Sequence, residues 1–280
     1  MVYRGVDLDY GKETIHEKTE NGRKRWNAAE LALAEALASG KCGEYAAEAR
    51  YWRGMAAIRI GHEQEAVGFL REALKGNLPL DESREARLAI ADCDFREGRL
   101  DAARAAYERL VAEGACARMG TARILAVGKF LGGEPAKTCA KALVALESPE
   151  WRQAGYALLG SVQDKASEFE AAVASYRKCL AEKANVADAA VAALRLGVLE
   201  SRAGEFDQAE TTLKRAIVLN SSDSAARGVA YLALATNSEA KKDFRSACAY
   251  ATVVTSLFDD EKLCAKAREI LKRHPEEADR

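Results

Sequence analysis

Alanines recur along this chain at Ala29, Ala66, Ala103, Ala136, Ala172, Ala209 and Ala247, in steps of 37, 37, 33, 36, 37 and 38 residues. That spacing limits what the chain can fold into more than anything else in it. Alanine is abundant here, so its companions decide whether the spacing has meaning. Four residues beyond each alanine stand Leu33, Leu70, Tyr107, Ala140, Tyr176, Leu213 and Ala251. Seven beyond stand Ala36, Ala73, Leu110, Leu143, Cys179, Ala216 and Val254. Apolar residues at i, i+4 and i+7 share one face of an α-helix, and that face must be buried against something. Recurrence at this period marks a repeat of small supersecondary units.

The rest of each period supplies a second helix and a turn. Upstream of the ladder, Gly54, Ala91, Gly160 and Gly197 put a residue without bulk where two helices cross, the last two directly after Leu159 and Leu196. Gly61, Gly98 and Gly204 then offer the positive φ that ends one helix and admits the next. Leu100, Phe169, Phe206 and Phe244, three residues before their alanines, are expected to plug the gap between the two helices. Pro79 and Pro149 follow second helices, where a missing amide proton ends an element at little cost. A single helix pair cannot bury both its faces, so each must lean on the next. The last pair needs a lid, and "DDEKLCAKAREILKR" at 259–273 reads as a capping helix. In it Asp259 or Asp260 would be the N-cap, Leu263, Ala267, Ile270 and Leu271 would share one face, and Pro275 lies beyond the end.

Composition agrees with helices and narrows the partners. Aromatic residues are only 7% of the chain and Pro numbers 4, so strands are not expected. The formal net charge is -1, so no global field draws nucleic acid or anionic lipid, and charge recognition would have to be local. No apolar run is long enough to cross a bilayer, and the N-terminal stretch lacks the features of a secretory leader. The 7 cysteines form an odd set without a C-x-x-C, which argues against a disulfide framework or a zinc knuckle and for a reducing, cytoplasmic compartment. Cys93, Cys139, Cys179 and Cys248 sit in helical patterns and are expected to act as small buried hydrophobes.

Nothing in the chain announces catalysis. His16, His62 and His274 are far apart in a linear stack, and no nucleophile elbow, zinc-protease helix, phosphate-binding loop or dinucleotide fingerprint is present. Asp92 and Asp94, two residues apart on a helix, point to different faces and read as ordinary solvated carboxylates. No catalytic residue, metal or cofactor is expected.

Leu196, Gly197, Gly204, Phe206, Ala209, Leu213 and Ala216 together resemble the tetratricopeptide repeat (TPR) family. The resemblance covers about residues 26–257 and is most specific in the units beginning near 46, 83, 152 and 189. It implies an all-α, right-handed α-solenoid of stacked antiparallel helix pairs, about six to seven units with a C-terminal capping helix. Residues 1–25 would then be a polar tail or degenerate first helix, 26–257 the repeat array, and 258–280 the capping helix and tail. Two departures stand out. Most steps exceed the family's usual repeat, and Gly128, Gly132 and Gly133 are displaced relative to Ala136.

The resemblance also implies a concave groove, formed by the first helix of each unit, that takes a peptide or helix of a partner protein. Two residues before each turn glycine or its equivalent stand Arg59, Arg96, Lys129, Lys165 and Arg202, a basic row able to clasp an acidic segment. Cations near helix C-termini also complement the macrodipole, which would explain each of them singly. Tyr51, Met55 and Phe95 are the candidate apolar anchors, with Trp52 expected to pack on the adjacent unit. The asparagine ladder by which some members grip a ligand backbone is missing: Trp52, Ala89, Leu158, Arg195 and Ala233 take its place. The clamp for heat-shock chaperone tails is missing too. The first expectation is thus a non-enzymatic scaffold for a protein partner, and the second a structural module for self-association as a homo-oligomer or for assembly of a larger complex. Near the N-terminus Val6, Leu8 and Tyr10 alternate with Asp7 and Asp9, a strip with the charge to occupy a basic groove.

Overall fold

The computed structural model describes residues 20–220 and 222–278. The strip at Val6–Tyr10 and His16 lie outside the described residues. Two compact units divide the chain, the first running to Cys139 and the second starting at Ala140. Helix α1 (Glu20–Ala38) precedes the pairs α2 (Ala46–Ile60) with α3 (Glu63–Leu74) and α4 (Leu80–Arg96) with α5 (Leu100–Ala112). A 3₁₀ turn at Ala115–Arg118 leads to α6 (Thr121–Leu131), and α7 (Gly133–Val144) carries the chain from the first unit into the second. There α8 (Pro149–Lys165) pairs with α9 (Phe169–Glu182), α10 (Val186–Arg202) with α11 (Phe206–Leu219), and α12 (Ser224–Ala240) with α13 (Phe244–Leu257). Helix α14 (Glu261–Arg273) and the single turn α15 (Pro275–Ala278) complete it. Among the described residues there is no strand.

Local chemistry starts and stops these helices where the repeat pattern requires. Asn185, Asp223, Asp243 and Asp260 each accept a hydrogen bond from a backbone N–H of the first turn that follows. Each such cap is worth about 1 kcal/mol. At the C-terminal ends the chain turns through a left-handed residue: Gly61 (φ 91), Gly98 (φ 79) and Gly204 (φ 81). The next amide reaches back to the helix, as His62 N does to Ala57 O at 2.9 Å and Glu205 N to Glu200 O at 2.9 Å. Ser167 (φ 62) and Lys242 (φ 66) hold the same place in their repeats without being glycine.

The ladder is the core. From Ala66 to Val254 every alanine of the series, and every residue four and seven beyond it, is buried. In α1 the equivalents Ala29, Leu33 and Ala36 are only partly buried. The crossing glycines face the ladder of their own pair. A Cβ on Gly54 would lie 2.6 Å from Leu70 Cγ, one on Gly197 2.6 Å from Leu213 Cγ, and one on Gly160 2.7 Å from the Tyr176 ring. No side chain fits there, so the two helices approach to a distance that only glycine permits. The expected plugs behave differently: Leu100, Phe169 and Phe244 remain exposed and Phe206 is half-buried. As the first residues of second helices they cover the rim of the seam, which the ladder has already filled.

The third pair carries the register change announced by its displaced glycines. Helix α6 has 11 residues where the other first helices have 15 or 17. Gly132 (φ 70, ψ -174) occupies a conformation closed to residues with a Cβ. Arg104 of α5 donates to Leu131 O at 2.8 Å and to Phe130 O at 3.1 Å, satisfying carbonyls that the early helix end leaves open. At the other end of the chain Asp260, rather than Asp259, caps α14, and Ala267 and Ile270 bury against the last pair. All seven cysteines are free, and Cys93, Cys139, Cys179 and Cys248 are buried.

Candidate functional site

The five cations of the basic row fall into two groups. Lys129, Lys165 and Arg202 close α6, α8 and α10, are exposed, and form no ion pair among the described residues. Arg59 and Arg96 are engaged within the first unit. The Arg59 guanidinium lies 5.7 Å from the centre of the Trp26 ring in α1. Arg96 pairs with Glu63 of α3 at 3.0 Å and reaches Cys93 Sγ at 3.5 Å. A cation already paired across a repeat boundary has less to offer an incoming carboxylate.

The apolar anchors are redistributed more strongly. Tyr51 and Met55 are 4% and 6% exposed, inside the α2–α4 core, and present no surface to a partner. Burial, with Glu85 and Glu82 nearby, pushes the Tyr51 phenol above its ordinary pKa. Phe95 is half-buried, edge-on to Phe130 at 5.1 Å. Trp52, expected inside, is 50% exposed and rests edge-on against Tyr51 at 4.9 Å. Consecutive helical positions point about 100° apart, so the ladder can take only one of two adjacent aromatic rings.

The second unit contains a surface that the row of turn residues did not reveal. Ala187, Val191, Arg195, Val198 and Arg202 recur at helical spacing along α10, on the face left over once α9, α11 and the neighbouring first helices have packed. Val191 and Arg195 are exposed, and Val229 holds the same place on α12 and is exposed too. Helices α8, α10 and α12 lie side by side, so this face runs from one repeat to the next. The available signal was the four-residue spacing of α10 positions that are out of phase with its buried ones.

The two aspartates expected in solvent are buried, at 0% and 5% exposure. Asp92 accepts the Tyr107 hydroxyl at 2.6 Å and pairs with Arg123 of α6 at 3.3 Å, and Asp94 accepts the Arg99 Nε at 2.8 Å. These contacts tie α4, α5 and α6 together. A separate hollow of about 230 Å³ is lined by Asp81, Arg84, Glu85, Leu88 and Ala115. Among the described residues no three His, Cys, Asp or Glu side chains converge as metal ligands, and no helix is long and apolar enough to cross a membrane.

The repeat geometry has counterparts among known proteins. One tetratricopeptide repeat family model matches residues 85–113, which fall in α4 and α5, and a second matches residues 154–185, in α8 and α9. No curated protein matches the chain. Among solved structures, the C-terminal part of a TPR repeat-containing protein from Cytophaga hutchinsonii is 12% identical over 91% of this chain and 99% of that one, with a TM-score of 0.57. The TPR2AB domain of yeast Sti1, in its complex with pHSP90, is 19% identical over 96% of this chain and 100% of that one, with a TM-score of 0.37. A chain of the APC/C hetero-tetramer Cut9–Hcn1 is 17% identical over 94% of this chain and 49% of that one, with a TM-score of 0.48, so this chain spans about half its length. The likeness to the Cytophaga hutchinsonii protein is one of fold. The ladder, the crossing glycines, the left-handed turns and the two matched repeats make this chain a TPR-like helical repeat protein.

Proposed function

We propose that the chain is a non-catalytic scaffold that binds an acidic peptide or helix of a partner protein on the face formed by the first helices of its second unit. The observation that carries this reading is the pair Lys165 and Arg202. They occupy the same place in consecutive repeats, both are exposed, and neither has a carboxylate partner among the described residues. The helix macrodipole favours each by about 0.3–1 kcal/mol, which accounts for a cation at a C-terminus. It does not account for Arg195, which lies farther back on the same exposed stripe between Val191 and Val198. Exposed valines beside guanidinium groups suit a ligand that alternates apolar and acidic side chains.

The test is capture from native lysate with the wild-type chain and with Lys165→Glu/Arg195→Glu/Arg202→Glu, read by mass spectrometry. Partners of the wild type should carry acidic segments, be released by salt and be lost from the variant. An unchanged set of partners would remove the face from consideration. Light scattering on the same samples separates a second copy of this chain from a foreign partner.

A further inference from the structure

The first unit holds a juxtaposition of nucleophilic side chains that partner binding does not use. Cys116 lies in the 3₁₀ turn between α5 and α6, Cys139 lies in α7, and their sulfurs are 4.0 Å apart with both residues buried. Among the described residues the other buried cysteines have no such sulfur neighbour. Cys248 Sγ donates to His274 O and Cys264 Sγ to Phe258 O, and desolvation pushes the Cys179 thiol up to about 12. Burial likewise raises the Cys248 thiol, so Cys179 and Cys248 stay protonated and inert. Cys116 differs because the Cys139 thiol can donate to it, which holds Cys116 below the ordinary thiol value and Cys139 above it.

We propose that Cys116 and Cys139 form a reversible disulfide that ties the α5–α6 turn to α7 when the protein meets a peroxide. The Cys116 thiolate attacks one peroxide oxygen; an S–O bond forms, the O–O bond breaks, and the leaving oxygen takes a proton and departs as water. The Cys139 sulfur then attacks Cys116; the S–S bond forms, the S–O bond breaks, and the Cys139 proton leaves with the hydroxide as a second water. Two thiols are oxidised and one peroxide is reduced to two waters. An added dithiol reverses the step by exchange. A disulfide needs the sulfurs at about 2.05 Å, so the short turn, not the helix, has to shift. Gly114 (φ 75) begins it and Met119 leaves it in extended conformation, whereas Cys139 is fixed in a helix. Opening of that turn also admits the oxidant to Cys116. All of α6 lies inside the loop that the bond closes.

The reduced full-length chain is treated with hydrogen peroxide, blocked with iodoacetamide and digested with trypsin without reductant. The peptide at 110–118, "LVAEGACAR", should appear joined to that at 138–141, "TCAK", and dithiothreitol should separate them. Cys93 and Cys179 should remain alkylatable after denaturation. In Cys139→Ser, Cys116 should stop at the sulfenic acid and be labelled by dimedone. Amide exchange across α6 should slow in the oxidised wild type and recover on reduction. Recovery of the two wild-type peptides unlinked, whether alkylated or over-oxidised, would overturn the proposal without bearing on partner binding at α8 and α10. The wild-type result stands even if a variant fails to fold.

Discussion

The Tyr107 hydroxyl donates to Asp92 Oδ1 at 2.6 Å, joining α5 to α4 inside the first unit. Tyr107 stands four residues beyond Ala103, at the ladder position that Leu70 and Leu213 fill elsewhere. A tyrosine there brings a polar tip into the core, and Asp92 answers it. Tyr176 holds the same position in α9, yet its hydroxyl is buried without a protein partner. Two identical residues at equivalent places thus rest on different physics: one is part of a polar network, the other a hydrophobe with a polar end.

Substitutions should separate the two. Tyr107→Phe should lower stability by about 1–3 kcal/mol, because it leaves Asp92 short of a donor. Asp92→Ala should cost more, about 3–5 kcal/mol, since Arg123 would keep its buried charge without the facing carboxylate. Tyr176→Phe should be neutral or slightly stabilising. Urea unfolding of the three variants checks the order, and equal losses for the two tyrosines would refute the distinction.

The left-handed turn residues yield a second comparison. An L-residue in that conformation carries about 1–2 kcal/mol of strain, whereas glycine brings an unfolded-state entropy of about 0.5–1 kcal/mol. Ser167→Gly and Lys242→Gly should therefore each stabilise the chain by about 0.5 kcal/mol. Gly204→Ala, at the same place in its repeat, should destabilise it by about 1 kcal/mol. Opposite shifts in the midpoint of denaturation are expected, and shifts of one sign would mean that side-chain contacts outweigh the backbone.

The fold is legible in the sequence where its determinants are local or periodic. The ladder, the crossing glycines and the turn at Gly204 recur at one period, so each occurrence supports the others. The cap at Asp260 needs only the amides of Lys262 and Leu263 beside it. The site was less legible because its determinants come from elsewhere in the chain. Arg96 and Lys165 look alike until Glu63 is found beside the first. Asp92 looks solvated until Tyr107 and Arg123 arrive from two other helices. Tyr51 and Trp52 are adjacent aromatic rings, and only the position of the ladder decides which one is buried.

Glycines in the helices should divide by what their faces meet. At Gly197 a methyl group would lie 2.6 Å from Leu213 Cγ and 3.3 Å from Ala209 O, so Gly197→Ala forces α10 away from α11. A loss of about 1–3 kcal/mol is expected. Gly68, within α3, meets nothing within 4 Å, and Gly68→Ala should gain about 0.5–1 kcal/mol from helix propensity alone. Thermal midpoints of the two variants should move in opposite directions, and a tolerated Gly197→Ala would show that close approach of the pair is dispensable.

The capping helix is held to the last pair by a carboxylate that acid can neutralise. Glu239 of α12 receives the Arg273 Nε and Nη2 at 2.8 Å each, and His274 Nε2 lies 2.9 Å from it, stacked on Phe244. The hydrogen bonds from Arg273, and then that from His274, hold the Glu239 carboxyl below its ordinary value of 4.5. A carboxyl with a depressed folded pKa binds its proton more readily in the unfolded chain. Its contribution is thus complete above the unfolded value and is lost as pH falls through the folded one. Acidification below 4.5 should therefore loosen α14 and uncover Ala267 and Ile270. Asp243, which caps α13 and is likewise depressed, adds to the same acid loss, so the Glu239 share must be taken by difference. Amide exchange in α14 should accelerate on acidification in the wild type, after correction for intrinsic rates. In Glu239→Gln it should start faster and depend less on pH. Identical pH profiles for the two proteins would show that α14 is held by its apolar face alone.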